Sequence, residues 1–97
     1  MKKIKITLVD DHTLFRNGLK ILLDTNPEFK VINEATNGKV FLDSLETSIP
    51  DIVLMDIMLK GEMNGIEAAH EIKKRHSIPV IFLTAYADES TLSKAKI

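Results

Sequence analysis

A single α/β domain, with a parallel sheet covered by helices on both faces, is the fold class this sequence predicts. Two observations carry that expectation. Short apolar runs that read as buried strands alternate with segments of helical periodicity, in the order βαβαβαβα. The chain has 97 residues, enough for one domain (1–97) and not two. Right-handed crossovers are expected throughout.

The first strand is Ile4-Lys5-Ile6-Thr7-Leu8-Val9, which runs into Asp10-Asp11. Thr13 can cap the helix that follows. Phe15, Gly18, Leu19 and Leu22 recur at helical spacing, and Leu14 and Ile21 widen that apolar stripe. Asp24-Thr25-Asn26-Pro27 stops the helix. Phe29 to Ala35 reads as the second strand, and Thr36-Asn37-Gly38 as a turn. Phe41 and Leu45, flanked by Val40 and Leu42, mark a second helix closed by Ser48-Ile49-Pro50. A third strand follows, Ile52 to Asp56, then a polar loop from Lys60 to Gly65. Asn64 can cap a third helix carrying Ile66, Ala69 and Ile72. Its last turn holds Lys73, Lys74, Arg75 and His76, cations where the helix dipole favours them. Pro79 to Thr84 reads as a fourth strand, and Asp88-Glu89-Ser90-Thr91 opens a last helical segment.

Composition narrows the function classes. A net charge of −1 gives no basic surface for nucleic acid or anionic membrane. Lys2, Lys3 and Lys5 read as a solvated strand edge. The absence of cysteine excludes disulfides, thiolate metal sites and cysteine nucleophiles. No apolar run approaches the roughly 18 residues of a membrane span, and the N-terminal apolar stretch is interrupted as a signal peptide's is not. A cytoplasmic protein is expected. The histidines, His12, His70 and His76, lack the spacing of a zinc site or catalytic dyad and read as structural or solvated.

The chemistry gathers at strand ends. The first strand ends in Asp10-Asp11, the third in Asp56 and the fourth in Thr84. In a parallel sheet these ends share one edge, where ligands of open α/β sheets bind. Any one of these residues alone reads as a cap or a turn former; their conjunction at one edge reads as a site. Clustered carboxylates repel one another unless a cation neutralises them. All-oxygen ligands of this kind suit Mg²⁺ together with waters and a phosphate, an arrangement that serves phosphoryl transfer. Asp56 would be the group that accepts the phosphoryl, and Thr84 would donate a hydrogen bond to one of its oxygens.

Val9-Asp10-Asp11-His12, Met55-Asp56-Ile57-Met58 and Leu83-Thr84-Ala85 resemble the receiver domain of bacterial two-component response regulators, and the resemblance runs the length of the chain. It implies a flavodoxin-like three-layer sandwich with strand order 2-1-3-4-5, of which 2-1-3-4 falls in this sequence. It implies that a sensor histidine kinase phosphorylates Asp56 in the presence of Mg²⁺. By position, Asp11 would bind the metal directly and Asp10 mainly through water, with Asp56 and the backbone carbonyl of Met58 completing the protein ligands. Thr84 would be the switch hydroxyl. Met58 and Tyr86 stand where the family tunes phosphoryl lifetime; bulky residues there imply slow self-dephosphorylation. The stretch Val9 to Leu22 looks most like receivers joined to a DNA-binding output domain, so transcriptional control is the expected output, by analogy.

The sequence departs from the pattern in two ways. Lys60 and Asn64 occupy positions where most receivers have proline and glycine, and the glycine comes one residue later, at Gly65. The family's fifth strand, its lysine and its fifth helix would fall beyond Ile97. The expectation is a C-terminally incomplete receiver whose fourth strand is a sheet edge, with dimers, swapped oligomers or aggregation through that edge. Two alternatives stay open: a pseudo-receiver that is never phosphorylated, and a Mg²⁺-dependent phosphatase of the haloacid-dehalogenase type. The latter needs a second aspartate where Met58 stands.

Overall fold

A computed structural model of the chain describes residues 3–57, 59 and 63–83. Seven elements follow one another: β1 (Ile4–Val9), α1 (Thr13–Asp24), β2 (Phe29–Ala35), α2 (Gly38–Ser44), β3 (Ile52–Asp56), α3 (Gly65–Arg75) and β4 (Val80–Leu83). The strands form a parallel sheet in the order β2-β1-β3-β4. The order reverses direction at β1. With right-handed crossovers, that reversal sets α1 on one face and α2 and α3 on the other. Among the described residues no helix is long and apolar enough to cross a membrane.

The alternating apolar residues of the central strands build the core. Val9, Ala35, Val53 and Met55 meet Phe41 and Leu45 from the α2 segment, Leu59, and Ala68 and Ile72 from α3. Burying side chains such as Phe41 or Ile72 contributes about 1.5–3 kcal/mol each. Ile6 and Leu8 of β1 are equally buried. Thr7 is buried too, and its hydroxyl has no hydrogen-bond partner.

Helix ends are set by local chemistry. The Asn64 side chain accepts from the Glu67 amide at 2.9 Å, and the Glu67 carboxylate accepts from the Asn64 amide at 3.2 Å, a reciprocal capping box. Asn37, read from sequence as part of a turn, is the N-cap of α2, accepting from the Val40 amide at 2.8 Å. Thr13 does not cap α1. It is the first helical residue; His12 is the N-cap, with no side-chain cap bond. The Asp10 carboxylate bends the chain there instead, accepting from the His12 amide at 2.7 Å.

Two apolar segments are less buried than their patterns predict. Leu14, Phe15, Ile21 and Leu22 of α1 are exposed, and no residue of that helix is fully buried. Among the described residues, α1 packs chiefly against β2, whereas α2 and α3 pack on each other. None of β4 is fully buried either, and Ile81 is half exposed. In the described sheet it pairs with β3. The predicted last helical segment lies outside the described residues.

Candidate metal and phosphoacceptor site

Register, not proximity in sequence, brings the acids together. Val9 of β1 pairs with Met55 of β3. One residue further on, Asp10 and Asp56 therefore stand at the same level at the end of the sheet, and Asp11 enters the loop beside them. The Asp10 amide donates to the Ala35 carbonyl at 3.0 Å, and the Ile57 amide to the Leu83 carbonyl at 3.2 Å. The main chain under both acids is thus held by the neighbouring strands.

Asp10, Asp11, His12 and Asp56 each offer one ligand atom, and these atoms all lie within 4.8 Å of one another. Asp10 and Asp56 are buried and Asp11 partly so. The Asp10 carboxylate is fixed by the His12 amide, and the Asp10 carbonyl accepts from Nη1 of Arg16 at 2.6 Å. Nε of Arg16 in turn donates to Glu34 at 3.1 Å, with Lys20 3.4 Å from the other Glu34 oxygen. The β1–α1 loop is therefore clamped from α1 and β2 together.

This donor set fits a divalent cation. Oδ1 of Asp11 is buried and makes no hydrogen bond, with His12 Nδ1 3.1 Å away in ion-pair range. Buried carboxylate oxygens in proteins are hydrogen-bonded, paired or bound to metal. The other carboxylates are hard oxygen donors on a level with it.

Behind the acids, Gly65 closes the site. A β-carbon there would collide with the Asp56 carbonyl oxygen and come 3.0 Å from the Ile57 α-carbon. The start of α3 is thus seated on the end of β3, and the displaced glycine of the sequence sits at the point of closest approach. Met58 and Thr84, the other predicted site residues, lie outside the described residues, as do Lys60, Gly61 and Tyr86.

The sequence reading missed His12. Its side chain is 61% exposed, yet Nδ1 turns inward, 3.0 Å from Asp10 Oδ1, 3.1 Å from Asp11 Oδ1 and 3.6 Å from Asp56 Oδ2. Spacing rules for histidine pairs cannot find a lone imidazole that adjoins an acidic pair across a turn. The signal was only its position, immediately after Asp10-Asp11.

Comparison with known proteins agrees with this geometry. The family model of the response regulator receiver domain matches residues 6–96. The transcriptional regulatory protein YdfI of Bacillus subtilis (strain 168) is 45% identical over 85 residues, covering 88% of this chain and 39% of YdfI. A protein-glutamate methylesterase/protein-glutamine glutaminase of Treponema denticola is 39% identical over 90 residues, 92% of this chain and 24% of that protein. The chain therefore spans well under half the length of these relatives. Among solved structures, the signal receiver domain of the response regulator NarL from Mycobacterium tuberculosis matches with a TM-score of 0.90 at 26% identity, over 98% of this chain and 77% of that one. Sheet order, acidic edge and family match converge: the chain belongs to the response regulator receiver domain family.

Proposed function

We propose that this chain is the phosphorylation-controlled switch of a two-component system, with Asp56 as the acceptor and a sensor histidine kinase as the donor. The observation that carries the reading is the convergence of Asp10, Asp11 and Asp56 at one sheet edge, with a buried Asp11 oxygen that has no hydrogen bond. A carboxylate oxygen of Asp56 attacks the phosphorus of the kinase's phosphohistidine. The new O–P bond forms as the P–N bond breaks, and the departing imidazole keeps the electron pair and takes up a proton. Asp11 and Asp56, together with Asp10, would hold Mg²⁺, which would supply charge neutralisation at the phosphoryl oxygens. The clamped β1–α1 loop and the α3 start seated on β3 keep the carboxylates in register, so little reorganisation accompanies transfer. Thr84 belongs to the same reading as the switch hydroxyl, and the Met58 carbonyl as a metal ligand.

The chain acts in this reading as a signalling domain with slow self-dephosphorylation, not as a turnover enzyme, and in the cytoplasm. YdfI is named a transcriptional regulator and the Treponema relative a methylesterase, and in both the matching stretch is the smaller part of a longer chain. Higher identity to YdfI favours transcriptional control, through an output domain in the parent protein that binds DNA.

Incubation with acetyl phosphate and Mg²⁺ tests the acceptor assignment. Wild type gains one phosphoryl group, seen by intact mass, and Asp56→Asn gains none. Incorporation that persists in Asp56→Asn overturns the assignment, and a wild type that never takes the group returns the chain to the pseudo-receiver class.

A further inference from the structure

Resting on the cation site just described, we propose that His12 supplies a nitrogen ligand to it through Nδ1 and tilts its preference from Mg²⁺ toward first-row transition ions. Three carboxylate oxygens face this one nitrogen at 3.0, 3.1 and 3.6 Å. An imidazole Nδ1 carries at most one proton and can satisfy one acceptor. In the metal-free chain a hydrogen bond to Asp10 holds the ring in place, and Nδ1 is the ring atom that faces the other two carboxylates. Oδ1 of Asp11, 3.1 Å away, makes no hydrogen bond with it.

The spacings are those of ligands sharing an ion. Two ligands each about 2.1 Å from one octahedral ion stand about 3.0 Å apart. Nδ1 stands at that spacing from Asp10 Oδ1 and from Asp11 Oδ1, and slightly wider from Asp56 Oδ2. The His12 main chain is fixed by the bond from its amide to Asp10, so the ring is delivered to this edge by the same turn that positions the acids. Its exposed remainder leaves room for the waters an octahedral ion retains.

Imidazole changes what the site selects. Oxygen-only sets suit Mg²⁺, whereas a nitrogen donor favours ions later in the first transition row. Co²⁺ is a suitable probe, since it accepts mixed oxygen and nitrogen ligands and its paramagnetism reports them. Wild-type protein titrated with Co²⁺ should show a strongly shifted imidazole N–H proton resonance that disappears in ²H₂O and is absent from His12→Ala. The same variant should lose about tenfold in Co²⁺ affinity while its Mg²⁺ affinity moves by less than about twofold.

Co²⁺ binding without that resonance in wild type would overturn the inference. So would a parallel rise in affinity for both ions in His12→Ala, which would mean that the ring competes with the ion for its place. The underlying site is tested separately by Asp11→Asn, which should weaken both ions together. If wild type binds neither ion, the cation site fails and this inference with it.

Discussion

Arg16 illustrates how much of the site depends on a residue that touches neither metal nor phosphoryl group in the proposed scheme. Its side chain is only 13% exposed. It donates to the Asp10 carbonyl and to Glu34 from different nitrogens of one guanidinium. Shared by one guanidinium, charged hydrogen bonds of this kind contribute about 1.5–3 kcal/mol together. Arg16→Ala should therefore lower stability by about 2 kcal/mol in urea unfolding, and Arg16→Lys should recover only part, because an ammonium is a point charge without the planar fork. Full recovery by lysine would show that charge alone matters there. Neither this clamp nor the inward turn of His12 was legible in the sequence. Both depend on side chains crossing from one element to another, which periodicity does not encode. The acids themselves were legible, because a carboxylate directly after an apolar strand has few places to go except the sheet edge. Thr13 fails as a cap for a related reason: Asp10, two residues before the His12 N-cap, takes over the turn.

At the scale of elements, the junction of β3 and α3 carries the most specific expectation. The close approach of Gly65 to Asp56 and Ile57 is backbone to backbone, so no side chain can swing aside to admit a methyl group. Overpacking of this kind costs about 1–3 kcal/mol, more than the roughly 1 kcal/mol that alanine gains over glycine in a helix. Gly65→Ala should lower the urea midpoint and weaken Mg²⁺ binding together, since the same shift displaces Asp56. An unchanged midpoint would mean that α3 is not seated on β3. The third strand and third helix were legible in the sequence, down to the Asn64 cap, because apolar runs and capping residues act locally. The burial of α1 and β4 was not. A 3.6-residue stripe or an apolar run says which face could be covered, and says nothing of whether a neighbour is there to cover it.

For the molecule as a whole, alternation of strands and helices sufficed for a parallel sheet, and the family resemblance supplied its order, which the structure shows as β2-β1-β3-β4. The slip in pairing between Ile6 and Thr7 of β1, where the register to β2 shifts by a residue, had no sequence signal, since Ile32 is as good a strand residue as its neighbours. The register that levels Asp10 with Asp56 has the larger consequence, because it turns two distant stretches of chain into one acidic edge. Site mapping decides whether that edge works as proposed. After acetyl phosphate treatment, borohydride reduces an aspartyl phosphate to homoserine, which peptide mass spectrometry locates. Homoserine at position 56, dependent on Mg²⁺ and abolished by Asp11→Asn, is the expected result. Homoserine at another aspartate, or at position 56 regardless of chelator, would contradict a metal-assisted acceptor built from β1 and β3.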